Sequence, residues 1–345
     1  MQIKNINIQE RMEHYHVPGL SIACIEDGQV SRAEGFGVLE VGTSKKVSNE
    51  SVFSACSISK FLTSMLAMSL TEKGILHLDE DVNNRLSSWK VPENEFTQNK
   101  KVTLRNLLSH QSGITDPQGS FPELNPNQGF PTVVDVLEGR TPYCNVPIEV
   151  KYEPGSDFQY SDTGFCIIQQ VIEDSCAKPF AQVMNEHIFQ PLKMENSTLE
   201  PFIQEESRQI SSCGHNKHGE LVEGAYPIYP YPAAAGLWTT PSDLALLVIE
   251  FLNSLKGESK IGISVSTAKE MIRPQGCRDW AGLGIFLDGL EQEIEMSSLG
   301  WGVGFQCMMV AYPYLQTGAI IMTNADLGVH QLKGLIGEIY HFLTI

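Results

Sequence analysis

The sequence predicts an α+β protein in which an antiparallel sheet flanked by helices is built from both chain ends and carries an α-rich inserted domain. Strand-like runs occur near the amino terminus and return after about residue 280, as in "AGLGIFL", "FQCMMVAY" and "GAIIMTN". The chain between these runs consists of short helical segments broken by proline and glycine. We expect residues 1–78 and 225–345 to form the α/β domain and residues 79–224 to form the insertion.

The elements follow in order along the chain. Residues 17–38 contain two short apolar runs around a Glu-Asp-Gly turn and predict a β-hairpin. A long helix follows "SISK" and extends to about Lys73, and the insertion then supplies short helices such as "TLRNLLSH" and "TGFCIIQQVIEDS". Residues 115–132 are rich in proline and glycine and predict a surface loop. An amphipathic helix, "HQLKGLIGEIYHFL", is expected near the carboxyl end.

Charge and cysteine usage exclude several classes of protein. The 345 residues include 24 Lys and Arg against 41 Asp and Glu, a net charge of -17, which disfavours nucleic acid and anionic membrane as partners. No stretch approaches the roughly 20 apolar residues that span a bilayer, and the first residues lack the apolar core of a signal peptide. Scattered cysteines favour free thiols. We expect a cytoplasmic protein, or a periplasmic or secreted one if a leader has been removed.

No metal or organic cofactor is expected. The eight cysteines lie far apart without a C-x-x-C pair, which metal sites commonly use. The histidines of "HYH" at 14–16 and "HNKH" at 215–218 have suitable spacing but no third ligand nearby. The glycines of "GWGVG" lack the spacing and the trailing Lys-Ser/Thr of a phosphate-binding loop.

A Ser-x-x-Lys pattern occurs four times, starting at residues 57, 87, 175 and 266. An offset of three residues on a helix brings the two side chains within reach of each other. Only Ser57 and Lys60 open a long helix that is apolar on nearly every side. Burial there can lower the pKa of Lys60 so that its amine accepts the serine proton. Alternatively, Lys60 extends its ammonium to the surface.

A tyrosine is the expected third member of such a site, because Ser-Lys nucleophilic sites of the penicillin-binding type add a Tyr-x-Asn. "PYCN" offers Tyr143 and Asn145, a literal match. "EPGSDFQYSDTGF" offers Tyr160 and Asp162, in which aspartate replaces the asparagine. The residues alone leave both candidates open.

Together these motifs resemble the class C β-lactamase and penicillin-binding-protein group of serine hydrolases, which also includes D-peptidases and serine esterases. The resemblance extends over most of the chain and is carried by "VPGLSIACIEDGQV", "FSACSISKFLTSMLAMSLTEKGILHLDEDV", "VTLRNLLSHQSGI", "PGSDFQYSDTGF", "PLKMENST", "AAAGLWTTPSDLALL" and "IIMTNAD". It implies the β-lactamase/transpeptidase-like fold.

The resemblance also implies roles for individual residues. It selects Tyr160 over Tyr143, because family members have Pro-Gly-x-x-Phe-x-Tyr-Ser-Asn where this chain has residues 154–162. Ser57 would be the acylated nucleophile, with its backbone N–H as one oxyanion donor. Lys60 and Tyr160 would share the general-base and general-acid work, in an order that the sequence leaves open. His110 fits a family position beside the helical domain and is interpreted as a structural histidine.

Two departures from the family pattern bear on the substrate. Asp162 replaces an asparagine, and an ionised carboxylate accepts hydrogen bonds but cannot donate one to a substrate carbonyl. It would also favour the ammonium form of Lys60, so that the chemistry shifts toward Tyr160.

The second departure is in the family's third motif, a Lys or His, a small residue and a glycine. Alignment from "GF" at 304–305 places Ser298, Leu299 and Gly300 there, and Trp301 would then give the second oxyanion N–H. A shifted register puts Trp301 itself at the cation position. Either way the cation that receives a substrate carboxylate is absent, and a neutral substrate with Trp301 as an apolar wall fits better.

These observations predict a serine acyl hydrolase that forms an acyl-enzyme on Ser57 and acts on a small-molecule ester or amide. One alternative is a β-lactamase or D-alanyl peptidase that acts on substrates with a carboxylate. The others are an acyltransferase with the same nucleophile, and a non-catalytic binding or sensor protein. The oligomeric state does not follow from the sequence.

Overall fold

The computed structural model describes residues 2–3, 6–200, 203–205 and 207–344. The strands are β1 Gln2–Ile3, β2 Gly19–Glu26, β3 Gln29–Gly37, β4 Phe53–Ser54, β5 Trp238–Thr239, β6 Phe286–Asp288, β7 Glu295–Gly302, β8 Phe305–Tyr312, β9 Thr317–Thr323 and β10 Leu343–Thr344. The α-helices are α1 Ile8–His14, α2 Ser59–Glu72, α3 Leu104–Leu108, α4 Val133–Leu137, α5 Asp162–Cys176, α6 Phe180–Met184, α7 Gln190–Leu192, α8 Pro241–Lys256, α9 Val265–Met271 and α10 Leu335–His341. A π-helical turn, Asn185–Phe189, joins α6 to α7.

The main sheet joins the two ends of the chain. Its strand order is β3-β2-β9-β8-β7-β6, and each neighbouring pair is antiparallel. The hairpin predicted for residues 17–38 is formed by β2 and β3, which a turn at Asp27 and Gly28 connects. β2 then pairs with β9, with Leu20 opposite Thr323. The predicted antiparallel sheet built from both ends of the chain is therefore confirmed.

The central strands are apolar on both faces because both faces are covered. In β2, Ala23 and Ile25 belong to the larger hydrophobic core, and Ile22 and Cys24 belong to the smaller one. Successive side chains of a strand point to opposite faces, so one strand supplies both cores. The smaller core also takes in residues of α1 and α10, which cover that face.

Helix α2 lies within the larger core. Its residues from Ser59 to Leu70 are all buried, which explains why the sequence lacks the polar stripe of a surface helix. A 3₁₀ turn, Cys56–Ile58, leads directly into α2. Cys56 in this turn has a φ of 47°, a left-handed conformation that side chains other than glycine seldom adopt. Ser57 therefore stands at a sharp bend between a short strand and a buried helix.

The helices α3 to α7 fall within the predicted insertion, and α5 packs against α2, α3 and α4. The boundaries at residues 78 and 225 stay a prediction. Within the described part of the chain, no helix combines the length and the apolar character needed to span a bilayer.

Candidate active site

Ser57 and Lys60 come together as their spacing predicts. The Nζ atom of Lys60 donates to Ser57 Oγ over 3.1 Å. The side chain of Lys60 is only 3% exposed, so the alternative in which it extends its ammonium to the surface is wrong. The helix holds this lysine beneath the serine.

The three N–H groups of the Lys60 ammonium are all engaged. Besides Ser57, they donate to Asp162 Oδ1 at 2.5 Å and to the carbonyl of Ala234 at 2.9 Å. Burial by itself would lower the pKa of Lys60, but the charges of Asp162 and Tyr160 outweigh it and the pKa is raised. The expectation that burial makes Lys60 a neutral base is therefore wrong, and the raised pKa agrees with the other expectation, that Asp162 favours the ammonium form. The anion supplied by Asp162 keeps this lysine protonated.

The first turn of α5 places Asp162 beside Lys60. Ser161 caps this helix by accepting the N–H of Gly164, and Asp162 is the first helical residue. The carboxylate of Asp116 then binds the same turn through four hydrogen bonds of 2.8–2.9 Å, from Ser161 Oγ, the N–H of Asp162 and both the N–H and the hydroxyl of Thr163. An anion that accepts N–H groups at a helix start stabilises it. Asp116 therefore fixes the position of Asp162.

Tyr160 projects into the same space, two residues before α5. Its ring stacks on His110 with centroids 4.3 Å apart, and Lys60 Nζ lies 4.9 Å from the Tyr160 ring centroid. Desolvation of its hydroxyl within the cleft and the Asp162 charge raise the pKa of Tyr160, whereas the Lys60 charge and hydrogen bonding to Ser57 and Lys60 lower it. The net shift is upward, so the phenol holds its proton at neutral pH. The phenol and the ammonium both lie next to the Ser57 hydroxyl.

His110 holds the loop that carries Tyr160. Its Nδ1 accepts the N–H of Ser161 at 3.1 Å, and its carbonyl accepts the N–H of Gln159 at 2.8 Å. Burial, together with the Lys60 charge, lowers the pKa of His110 to about 3, so the ring is neutral. These contacts fit the structural role expected for this histidine, and its stacking on Tyr160 adds a positioning role.

Strand β7 runs past the turn that carries Ser57. Ser298 is 5% exposed and lines the cleft beside Ser57. A Cβ on Gly300 would lie 2.3 Å from the carbonyl oxygen of Ala55, so only glycine permits this close approach of strand and turn. Residues 298 and 300 thus face the start of α2, which favours the register that places Ser298, Leu299 and Gly300 in the third motif.

Trp301 does not form a wall of the cleft as expected. Its side chain is 44% exposed, and its indole N–H donates to Asp326 Oδ1 at 2.8 Å. Because alternate residues of a strand point to opposite faces, a ring at position 301 cannot share the side occupied by Ser298. The role of the Trp301 backbone N–H in an oxyanion site stays a prediction.

The other sequence candidates lie elsewhere. Tyr143 is 2% exposed, and its hydroxyl donates to the carbonyls of Asn125 and Gly129, so it anchors the loop predicted at 115–132. Both ring nitrogens of His215 are engaged, with the Asn324 carbonyl and the Val41 N–H. Among the described residues, no cluster of three or more His, Cys, Asp or Glu side chains could hold a metal ion.

Comparison with known proteins assigns the family. A sequence model of the Beta-lactamase family matches residues 6–336, nearly the whole chain. The chain belongs to the Beta-lactamase family. This assignment confirms the predicted resemblance and places the protein in a family of serine hydrolases.

Individual relatives of this Beta-lactamase-family protein are distant. Protein flp of Staphylococcus aureus is 25% identical over 236 residues, which cover 68% of this chain and 44% of flp. The chain thus matches less than half the length of this curated relative. The octameric penicillin-binding protein homologue from Pyrococcus abyssi has a TM-score of 0.76 at 22% identity, covering 97% of this chain and 75% of that one. A β-lactamase/D-alanine carboxypeptidase from Yersinia pestis, complexed with citrate, has a TM-score of 0.75 at 21% identity, covering 96% and 93%. These structures confirm the predicted fold.

Proposed function

We propose that this protein is a serine acyl hydrolase that forms an acyl-enzyme on Ser57 and acts on small, uncharged esters or amides. One observation carries the proposal. The Lys60 ammonium lies between Ser57 Oγ and the Asp162 carboxylate and donates all three of its N–H groups within the protein. It activates the serine and has no donor left for a substrate carboxylate.

The charges around the cleft support an uncharged substrate. Among the described residues that line the cleft, Lys60 is the only cation, and the neighbouring His110 is neutral. The carboxylate of Asp162 lies beside the nucleophile. A substrate carboxylate would lose its hydration there without gaining a paired cation, which is costly. An ester or amide without charge avoids this cost.

The proposed reaction uses Tyr160 as the proton carrier. The reaction starts in the fraction of molecules whose Tyr160 has lost its proton to solvent, a fraction that grows as pH rises. Ser57 Oγ then attacks the acyl carbon while its proton moves to this phenolate, and the Lys60 ammonium stabilises the negative charge that grows on Oγ. Tyr160 then protonates the leaving oxygen or nitrogen as its bond to the acyl carbon breaks. Tyr160, now a phenolate again, takes a proton from the water that attacks the acyl-enzyme and gives it to Ser57 Oγ as the acyl bond breaks, so that the acid leaves and Ser57 is restored.

Two features are proposed to set the preference between esters and amides. The N–H groups of Ser57 and Trp301 would bind the developing oxyanion, since Gly300 lets β7 approach the turn closely. Asp162 cannot donate to the amide carbonyl of a peptide-like substrate, as the usual asparagine can. Esters are therefore the better substrates.

A substrate panel and a covalent probe test the proposal. We expect a fluorophosphonate to add to Ser57 in an intact-mass measurement, and p-nitrophenyl acetate to be hydrolysed with kcat/KM at least about tenfold above that for a cephalosporin or a D-alanyl-D-alanine peptide. Faster turnover of the last two substrates would instead identify a β-lactamase or D-peptidase. Acyl transfer to an added alcohol in preference to water would identify an acyltransferase. No adduct with any probe would identify a binding protein.

We also propose a cytoplasmic location. All eight cysteines are unpaired, and most of them are buried as small apolar side chains. Free thiols persist in reducing compartments. Detection of the natural protein in the cytosolic fraction supports this location, and its recovery outside the cell with oxidised cysteines contradicts it.

A further inference from the structure

Three aromatic rings, those of Phe158, Tyr160 and Phe286, line the cleft beside Ser57, and the ring of Trp280 packs against Phe158 and Phe286. We call these rings, Phe158, Tyr160, Trp280 and Phe286, the aromatic panel. Phe158 and Trp280 meet edge to face at 4.4 Å between centroids, and Phe286 lies 6.1 Å from Trp280 and 6.4 Å from Tyr160. Tyr160 is 41% and Trp280 39% exposed. The panel is therefore a continuous apolar surface that is open to solvent and adjoins the nucleophile.

The aromatic panel is held in place by its surroundings. Trp280 and Phe286 lie on a tight hairpin in which the N–H of Leu287 donates to the Trp280 carbonyl at 2.8 Å. The hairpin sits so close to α2 that a Cβ on Gly284 would lie 1.8 Å from Ser64 Oγ. The backbone that carries Trp280 and Phe286 is therefore held directly against α2.

Further contacts connect the hairpin of Trp280 and Phe286 to the loop of Phe158 and Tyr160. Arg278, just before the hairpin, donates to Asp157 Oδ1 at 2.6 Å, next to Phe158. The N–H of Gly284 donates to the Leu108 carbonyl at 2.8 Å, close to His110. The hairpin and the loop of Tyr160 are thus fixed to the same part of the insertion. Rigid, preformed surfaces bind a ligand at low conformational cost.

The position of Tyr160 indicates which part of a substrate meets the panel. A general acid must lie within hydrogen-bond reach of the atom that it protonates, so the leaving oxygen of an ester lies beside Tyr160. The group attached to that oxygen then lies against Phe158 and Phe286, which line the cleft with Tyr160, and Trp280 extends the same surface. We propose that the aromatic panel binds the alcohol portion of the ester and that the enzyme prefers esters of long alkyl or benzyl alcohols. This inference rests on the proposed function of Ser57 and Tyr160.

The expected size of the preference follows from apolar burial. Each methylene group removed from water contributes enough free energy to change an equilibrium constant up to about fourfold. Because the panel is open on one side, we expect about a twofold gain per methylene of the alcohol. The acyl portion lies on the far side of the scissile bond from Tyr160 and should show a weaker dependence on length.

Two ester series separate these possibilities. In one series acetate is esterified with methyl, butyl, hexyl or benzyl alcohol, and in the other methanol is esterified with acetic, butyric, hexanoic or phenylacetic acid. We expect kcat/KM to rise about tenfold or more from methyl to hexyl acetate and to rise less in the acyl series. A flat alcohol series, or a steeper acyl series, overturns the inference.

Variants locate the effect on the panel. Trp280→Ala and Phe286→Ala should each reduce the hexyl-to-methyl ratio by at least about threefold, and this ratio is independent of the amount of folded enzyme. Phe342→Ala is the matched control, since Phe342 is 37% exposed and follows α10 on the opposite face of the sheet. Its ratio should equal that of the wild type. Unchanged ratios in both panel variants overturn the inference.

Labelling of the wild-type protein separates this inference from the proposed function. Addition of a fluorophosphonate to Ser57 together with a flat alcohol series means that the panel inference alone is wrong. Absence of labelling, with no turnover of either series, means that both are wrong. Labelling with a rising alcohol series that panel variants flatten supports both.

Discussion

Ser57 and Lys60 meet where a tight turn enters α2, and Ser266 and Lys269 lie in the same sequence pattern on α9. Lys60 is 3% exposed and donates to three acceptors, one of them a carboxylate. Ser266 and Lys269 are both exposed, and the Ser266 hydroxyl pairs with that of Ser264, which caps α9. The shared spacing makes a contact geometrically possible. Burial and a charged partner from a distant segment are what convert such a contact into a chemical site.

Substitution of the serine in each pair should give the largest difference between the two pairs. Ser57→Ala should abolish fluorophosphonate labelling and lower kcat/KM for p-nitrophenyl acetate by about 10⁴-fold or more, because the attacking oxygen is lost. Ser266→Ala should leave both unchanged. Residual labelling of Ser57→Ala at the wild-type rate would mean that another residue is the nucleophile.

Removal of each lysine should have the next largest effect. Lys60→Met keeps the volume of the side chain but removes the ammonium beside Ser57 Oγ, so we expect kcat/KM for the same ester to fall by about 10²-fold to 10³-fold. Lys269→Met is the matched control on α9 and should retain wild-type kinetics. Equal effects of the two substitutions would contradict the special role of the buried lysine. Circular dichroism of both variants establishes that they fold.

The Ser57–Lys60 pair has a carboxylate partner, Asp162, and loss of this carboxylate should shift the pH profile of kcat/KM. Both the Lys60 and Tyr160 pKa values are raised, so in the wild type the log of kcat/KM should climb by about one per pH unit above neutrality as base forms. In Asp162→Asn, burial acts on Lys60 without the opposing anion, and its pKa falls. The profile should therefore move to lower pH, and the ester-to-amide ratio of kcat/KM should fall by about threefold to tenfold.

Glu149→Gln is the control for this charge change. Glu149 pairs with Lys151 on the exposed surface and has no contact with Lys60 among the described hydrogen bonds. Its pH profile should match that of the wild type. An Asp162→Asn profile and ester-to-amide ratio that also match would disprove the proposed influence of Asp162.

The burial of His110 near Lys60 should produce a smaller effect, which is a change in the stability of the fold with pH. His110 is neutral in the fold, because burial and Lys60 lower its pKa from 6.5 to about 3. A histidine whose pKa is lower in the folded than in the unfolded protein stabilises the fold at pH values above its unfolded pKa. This stabilisation is lost as pH falls from about 6.5 toward 3. We expect this histidine to reduce the free energy of unfolding by as much as about 3 kcal/mol between pH 7 and pH 4, as measured by urea denaturation.

An asparagine variant isolates this contribution. His110→Asn keeps an acceptor for the Ser161 N–H and suits the left-handed backbone at φ 57°, but it does not titrate. Its stability should therefore decline less between pH 7 and pH 4 than that of the wild type. His16→Asn is the control, since His16 is exposed and has a similar φ of 54°. Parallel curves for the His110→Asn variant and the wild type would refute this account.

The predictions from sequence were strongest where structure depends on neighbours in the chain. The contact of Ser57 with Lys60 depends on one helical turn, and the hairpin of β2 and β3 depends on alternation and a local turn. The fold and the family followed from an ordered set of motifs over most of the chain. Each of these signals can be read from segments of about 10 to 30 residues.

The features that the sequence did not predict depend on contacts between distant segments. Burial alone predicts a neutral Lys60, and only the family resemblance indicated that Asp162, which lies 102 residues later, would keep it charged. Asp116 contacts residues 45 to 47 positions away, and no local pattern marks it as the anchor of α5. The side of β7 on which the Trp301 side chain lies depends on which face of the strand meets the start of α2. The alternation of side chains along a strand does not by itself specify that face.

The pairing of β2 with β9 has a consequence for how the protein is made. A ribosome releases the hairpin of β2 and β3 long before β9 exists, so one edge of β2 stays unpaired while the residues up to β9 are made. The strand that carries Ser298 and Gly300 also emerges late, after the helix that follows Ser57. A nascent chain therefore holds the serine without the wall opposite it, and the chemistry can begin only after β7 has left the ribosome.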